Sequence, residues 1–104
     1  MSYAATAARA KKLLVKKGAP ATISRTGDDG TVTTLSTYAV IVGRPRFMTD
    51  TPLGDYELIM AHDVQPLSGD IVSVGGLELI LRVHPVALEP GGVTVIYTAW
   101  GFEK

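Results

Sequence analysis

Short runs in which apolar and polar residues alternate dominate the chain from residue 21 onward, and this alternation is the feature that most constrains the fold. A period of two predicts strands with one buried and one exposed face. The run LELILRV is the clearest, since Leu77, Leu79 and Leu81 share one face. About six such runs occupy residues 21–100. We therefore predict a mainly β fold, a small antiparallel β-barrel or curled sheet that manages its strand edges by closure.

Residue pairs that contain glycine separate several of these runs. Asp29-Gly30 and Gly75-Gly76 are hairpin signals, because the turn needs a positive φ that glycine supplies without steric cost. Gly91-Gly92 is predicted to turn the chain into the closing strand VTVIYTAW, and His84-Pro85 to end the strand before it. Phosphate loops instead lead into a helix and carry a Lys-Ser/Thr pair or a third spaced glycine. We interpret the pairs as turns.

The N-terminal segment YAATAARAKKLLVKK predicts a helix over Tyr3 to Lys17, because it is rich in good helix formers. Ser2 fits the N-cap position, and Gly18 stands where a left-handed C-cap residue belongs. Offsets of three and four define a narrow apolar stripe of Tyr3, Ala7, Ala10 and Leu14. Three lysines are predicted to point outward: Lys11, Lys12 and Lys16.

Length and composition bound the remaining possibilities. The 104 residues predict a single domain over 1–104, and the absence of cysteine excludes disulfides, thiol nucleophiles and thiolate zinc sites. No apolar run approaches the roughly 18 residues that would span a bilayer. The alanine-rich start is also interrupted by Arg and Lys, unlike a signal peptide. We expect a cytoplasmic protein without a membrane segment.

The net charge of zero conceals an uneven distribution. Six basic residues and no acidic one precede Asp28, whereas four basic and ten acidic residues follow Gly27. A basic helix against an acidic body suits binding to nucleic acid, to an acidic partner, or head-to-tail packing of copies. A solvated helix face is an equally simple interpretation.

Residues that could perform chemistry are few. His62, His84 and Asp70 could contribute to a metal site or a small hydrolase, but their spacing does not predict that they converge. The serines lack a nucleophile-elbow motif, and Asp55 and Glu57 share a strand face without a partner acid or base. We expect no enzyme, cofactor or metal.

The segment from Gly43 to Gly54 has no usable periodicity and is predicted to be an exposed loop. Arg44 and Arg46 flank a proline, and Phe47 and Met48 follow. Two charges and two apolar groups on one loop are typical of a contact element. Alternatively, Phe47 folds back onto the core.

Three segments, ARAKKLLVKKGAPATISRT, SGDIVSVGGLELILRVHPV and LEPGGVTVIYTAW, together resemble the small head-tail connector proteins of long-tailed bacteriophages. These are the head-closure or stopper proteins, including the lambda-type head-tail joining group. The family's A-R-x-x-x-L-L-x-K-x-G-x-x-x-T-x-x-R pattern is similar to Ala8 to Arg25. Its G-D and P-G-G-x-x-V-x-Y elements are similar to Gly69-Asp70 and to Pro90 through Tyr97.

The resemblance implies a small barrel with a helix, several copies of which, commonly six, form a ring in the virion neck. Such a ring closes the DNA exit of the filled head and offers a docking surface to the tail. The implied partners are further copies of the chain, the portal or adaptor proteins, a tail-tube or tail-completion protein, and packaged DNA. Assembly would begin in the host cytoplasm.

The resemblance also implies roles for two sets of residues. The family's channel loop corresponds to Gly43 to Gly54, so that channel and DNA contacts would come from Arg44, Arg46, Phe47 and Met48. A partner interface would come from the helix lysines Lys11, Lys12, Lys16 and Lys17. The alternatives are a barrel that binds nucleic acid non-specifically through its basic helix, or a neighbouring neck or tail-completion protein.

Overall fold

A computed structural model describes residues 2–44, 46–48, 51–53 and 55–104 of the chain. One helix, nine strands and a short 3₁₀ turn follow one another in the described residues. They are α1 (Tyr3–Lys17), β1 (Ala19–Thr26), β2 (Val32–Gly43), β3 (Arg46–Met48), β4 (Thr51–Leu53), β5 (Tyr56–Ala61), β6 (Ile71–Val74), β7 (Leu77–Leu81), β8 (Val86–Leu88), the 3₁₀ turn (Pro90–Gly92) and β9 (Ile96–Glu103). No helix in these ranges is long and apolar enough to cross a membrane.

Six of the strands close into an antiparallel barrel. Their order is β5-β2-β1-β6-β7-β9, and β9 pairs back onto β5. Strand β8 continues beyond β7 along the same edge of β9, so that Val86 lies opposite Thr98. The predicted fold class, a mainly β small barrel of about six strands with an N-terminal helix, is confirmed.

The barrel interior is filled by the inward faces of its strands. Ile23, Leu58, Met60, Leu79 and Leu81 are each at most 1 % exposed, and the strand burial alternates as the period of two predicts. An eight-stranded barrel is just wide enough for side chains to fill, and a six-stranded barrel is narrower. The barrel interior is therefore a packed core.

Helix α1 lies against β1, β2, β5 and β9. Its predicted bounds and its N-cap are confirmed, since Ser2 Oγ accepts a hydrogen bond from the Ala5 N–H at 3.2 Å. Ala7 and Leu14 are buried, but Tyr3 is 49 % exposed. The buried part of the predicted stripe is thus narrow, which suits a helix that packs closely through alanine.

Gly18 does not adopt the left-handed C-cap conformation that its position predicted. Its φ is −95° and its ψ is −150°, an extended conformation, and its N–H donates to the Leu14 carbonyl at 2.8 Å. A Cβ placed on Gly18 would lie 2.5 Å from the Ala39 carbonyl oxygen. Glycine is needed here because the end of the helix touches the backbone of β2, and not because of a positive φ.

The hairpin predictions are confirmed for two of the turns. β1 pairs with β2 across the Asp29-Gly30 turn, and β6 pairs with β7 across Gly75-Gly76. Gly75 and Gly76 have φ of 57° and 82°, the double positive φ of a tight two-residue turn.

The strand ends near His84-Pro85 differ from the prediction. β7 ends at Leu81, although the Arg82 N–H still donates to the Trp100 carbonyl at 3.0 Å. The chain then leaves the ladder and rejoins it as β8, so His84-Pro85 interrupts pairing along β9 without ending it. The last strand begins at Ile96, three residues later than predicted.

Part of the segment from Gly43 to Gly54, which was predicted to be an exposed loop, is paired in strands. β2 continues through Gly43, and β3 and β4 form a separate two-stranded antiparallel sheet, in which Phe47 lies opposite Pro52. We call β3 and β4 the ribbon. The structure does not describe the side chains of Arg46, Phe47 and Met48. The predicted exposure of Phe47 therefore lies outside what is described.

Candidate interaction surfaces

Arg44 stands at the base of the ribbon, where β2 ends. It is exposed, and its guanidinium carbon lies 5.9 Å from the centre of the Tyr56 ring, within cation-π range. The Tyr56 hydroxyl donates to Glu103 Oε1 at 3.0 Å, and this hydrogen bond raises the pKa of Tyr56. Of the four predicted channel residues, Arg44 is thus the one with a described side chain, and this side chain lies against Tyr56 of the barrel.

The outward face of α1 carries four exposed basic residues, which we call the basic helix surface: Arg9, Lys12, Lys16 and Lys17. Lys11, which the sequence predicted to point outward, is half-buried. Its Nζ lies 3.2 Å from Asp63 Oδ2, and Asp63 Oδ1 accepts a hydrogen bond from the Thr37 hydroxyl at 2.8 Å. The charge of Lys11 is therefore largely neutralised within the chain, whereas Lys12, Lys16 and Lys17 remain available as predicted interface residues.

Asp63 makes folding sensitive to acid. Partial burial opposes its ionisation, but the hydrogen bonds from Thr37 and Lys11 outweigh this and lower the pKa of Asp63 below its usual 3.8. A depressed folded-state pKa stabilises the fold above the unfolded-state value, and this stabilisation is lost as the pH falls through the folded-state value.

We expect Asp63→Asn to lower the free energy of unfolding at pH 7 by about 1 kcal/mol, since the ion pair is partly exposed. The difference from the unsubstituted chain should shrink as the pH falls through the lowered folded-state pKa of Asp63, because the unsubstituted chain then loses this charge as well. Urea unfolding at a series of pH values measures this. Asp28→Asn, at an exposed turn, is the matched control, and an Asp63→Asn deficit that stays constant as the pH is lowered would contradict the explanation.

A groove lies between α1 and the turn that follows β5. It has a volume of about 360 Å³ and is lined by Ala8, Lys11, Lys12, Val15 and His62. The four helix residues follow the spacing i, i+3, i+4 and i+7, which places them on one helix face. His62 Nδ1 is buried and has no hydrogen-bond partner. We call this cavity the helix groove; it combines apolar walls with a free ammonium and an unsatisfied imidazole nitrogen.

Arg25 and Asp70 form a clamp that the sequence did not predict. Asp70 is 3 % exposed, and Arg25 donates from Nε to Oδ1 at 3.0 Å and from Nη2 to Oδ2 at 2.8 Å. The Leu67 N–H donates to the same carboxylate at 2.8 Å, and Arg25 Nη2 also reaches the Gln65 carbonyl. The hydrogen bond with Asp70 raises the pKa of Arg25. The clamp ties the end of β1 to the loop before β6.

The residues considered for a metal or hydrolase site lie apart or are occupied. Asp70 is committed to Arg25, and His84 is exposed. Asp55 pairs with Arg82, whose Nε lies 3.0 Å from Asp55 Oδ2. In the described ranges, no group of three or more His, Asp or Glu side chains is placed to hold a metal ion.

Known proteins offer no further guide to this site. No family model, no curated protein and no solved structure matches the chain.

Proposed function

We propose that the chain is a structural subunit of the neck of a long-tailed bacteriophage and has no catalytic role. Several copies form a ring between the DNA-filled head and the tail, which closes the DNA exit and presents a docking surface to the tail. Its partners are other copies, the portal or adaptor proteins, a tail-tube or tail-completion protein and packaged DNA. The resemblance of three sequence segments to connector proteins supports this proposal.

The observation that carries the proposal is the ribbon. β3 and β4 pair with each other in a sheet of their own, and the chain enters the ribbon from β2 and leaves it into β5, which are neighbours in the barrel wall. A segment attached by two adjacent strands can extend from the barrel without disturbing its closure. Since the barrel itself is packed, such an extension suits a subunit that bounds a channel together with its copies.

The ribbon sequence fits contact with DNA and with neighbouring ribbons. Arg44 and Arg46 supply charge for phosphate contacts, and Phe47 and Met48 supply apolar groups that would narrow the lumen between copies. Antiparallel pairing inside the ribbon satisfies part of its backbone, so that it needs fewer contacts with the barrel to stay formed. These residues therefore remain the proposed channel contacts.

The test is electron microscopy of particles from a phage in which the gene for this chain is disabled. The expected result is tailless heads that have packaged DNA and lost it again, together with complete free tails. Normal infectious particles would overturn the proposal. They would leave non-specific binding of nucleic acid by the basic helix surface as the function that the exposed lysines favour.

A second variant in the same experiment tests the ribbon itself. Residues 45–53 are replaced by a short Gly-Ser linker, and the matched control lengthens the exposed Gly75-Gly76 turn by two residues. Heads that carry the ribbon variant should leak DNA although the ring still assembles, whereas the control should retain DNA. Retention of DNA by the ribbon variant would remove the channel role and leave the ring.

A further inference from the structure

The turn between β1 and β2 is a rigid acidic tip. The Gly27 N–H donates to the Thr31 carbonyl at 2.8 Å, and the Gly30 N–H donates to the Gly27 carbonyl at 3.0 Å. Asp29 Oδ1 accepts the Thr31 N–H at 3.0 Å, which lowers the pKa of Asp29. Asp28 and Asp29 are both exposed. The turn thus presents two carboxylates on a preformed backbone, so that little entropy is lost when it binds.

An exposed valine adjoins this tip. Val32 begins β2 two residues after Gly30 and is 60 % exposed. Residues 27–32, which we call the acidic tip, therefore combine two negative charges with one apolar side chain. A partner for this tip needs positive charge next to an apolar surface, because the valine contributes favourable binding free energy only when its side chain is removed from water.

The helix groove has these complementary properties. Lys12 is exposed, and His62 Nδ1 is buried without a partner, while Val15 is 48 % exposed in the groove wall. Lys11 is already paired with Asp63. The groove thus offers one exposed ammonium beside an apolar wall. Duplex DNA would need a longer row of unpaired cations than this cavity contains.

We propose that the acidic tip of one copy docks in the helix groove of the next copy. The carboxylates of Asp28 and Asp29 face the Lys12 ammonium, and Val32 packs against Val15. The two surfaces are different parts of the chain, so the contact is heterologous, and a heterologous contact generates a ring when its rotation closes. The inference rests on the proposed ring and identifies the surfaces that hold it together.

Disulfide trapping tests the contact directly, because the chain contains no cysteine and has no background reaction. The purified full chain carrying both Asp28→Cys and Lys12→Cys is oxidised at low salt. The expected product is a ladder of disulfide-linked dimers and larger species. A matched control pairs Lys12→Cys with Glu78→Cys, which is exposed on β7. Docking holds the two cysteines of the tip pair close together, although it now lacks the Asp28–Lys12 charge pair, so linkage should be about tenfold faster for the tip pair than for the control pair.

Charge exchange gives a second measurement that does not depend on cysteine. Lys12→Glu alone and Asp28→Lys with Asp29→Lys should each weaken self-association about tenfold in analytical ultracentrifugation at low salt. A mixture of the two variants should recover hetero-association, since opposite charges face each other again. Circular dichroism of each variant confirms that it is folded.

Three outcomes would overturn the inference. The first is that the control pair is linked as fast as the tip pair. The second is that the tip pair forms no disulfide, or forms one only within a single copy. The third is that mixing the two charge variants does not restore association. If the tip pair is not linked faster than the control pair and Lys12→Glu abolishes binding of duplex DNA, the groove belongs to a nucleic-acid surface. If disulfide-linked species form but disabling the gene leaves the phage particles normal, the contact between copies stands and the neck role is removed. If disabling the gene gives the neck defect but no linked species form, the neck role stands and this contact is removed.

Discussion

Replacing Asp70 with alanine is expected to lower the free energy of unfolding by about 2 kcal/mol, because it removes the charge-assisted hydrogen bonds from Arg25 and leaves the Leu67 N–H without its acceptor. Asp70 is 3 % exposed and accepts four hydrogen bonds, three from Arg25 and one from the Leu67 N–H. Alanine removes all four acceptors and leaves the guanidinium with the Gln65 carbonyl alone. Urea unfolding at neutral pH measures the loss, provided that the transition remains two-state.

The control for this prediction is Asp55→Ala. Asp55 also pairs with an arginine, but the Arg82 side chain is 56 % exposed and also stacks on Phe102, 4.3 Å from the ring centre. Exposed pairs contribute about 1 kcal/mol or less, so Asp55→Ala should cost little. If Asp70→Ala and Asp55→Ala lower the free energy of unfolding equally, burial of the carboxylate does not determine the size of the loss.

The clamp also bears on the proposed interface. Arg25 is the second-last residue of β1, so its bonds to Asp70 hold the strand close to the point where the acidic tip begins. A hairpin that extends beyond the barrel would otherwise pivot about its base. The clamp therefore helps to present Asp28 and Asp29 in one orientation, which reduces the entropy that docking has to overcome.

The barrel strands were predictable because each of them carries its own signal. Alternation along LELIL and the glycine pair before it specify a hairpin from residues that are adjacent in the chain. Closure followed from the small number of strands, since an open sheet of this length would expose two edges. The helix was predictable for the same local reason, as its N-cap and its helix formers are contiguous.

The ribbon and β8 were not predictable from such signals. The strands β3, β4 and β8 are each three residues long, which is too short to display a period of two. A proline in or near each of them also argues against a strand. β8 forms because β9 is longer than β7 and leaves backbone groups to pair with. That information resides in the neighbouring strand.

The candidate site was predictable only as a set of charges. The lysines of α1 were recognised, but the pairing of Lys11 with Asp63 joins residues far apart in the chain, and so does that of Arg25 with Asp70. A sequence pattern does not show which charges are neutralised by the fold. The remaining free charge on Lys12 and the unsatisfied His62 Nδ1 emerge only when the helix is packed on the barrel.

Gly18→Ala is expected to be comparably damaging, with a loss of about 3 kcal/mol, because added bulk at a close backbone contact forces the helix to move. The new Cβ would lie 2.5 Å from the Ala39 carbonyl oxygen and 2.7 Å from that of Leu14. Both atoms belong to the backbone of regular elements, so neither can rotate away. Thermal and urea unfolding measure the loss.

Gly75→Ala separates this steric effect from that of backbone conformation. Gly75 has a φ of 57°, but nothing lies within 4 Å of its Cβ position, so its cost should be about 1 kcal/mol, that of one residue held in the left-handed region. If the two alanines cost the same, the contact between α1 and β2 is looser than the distances indicate. A larger loss at Gly18 would instead mean that the helix is held rigidly on the barrel, as a groove formed by helix and barrel together requires.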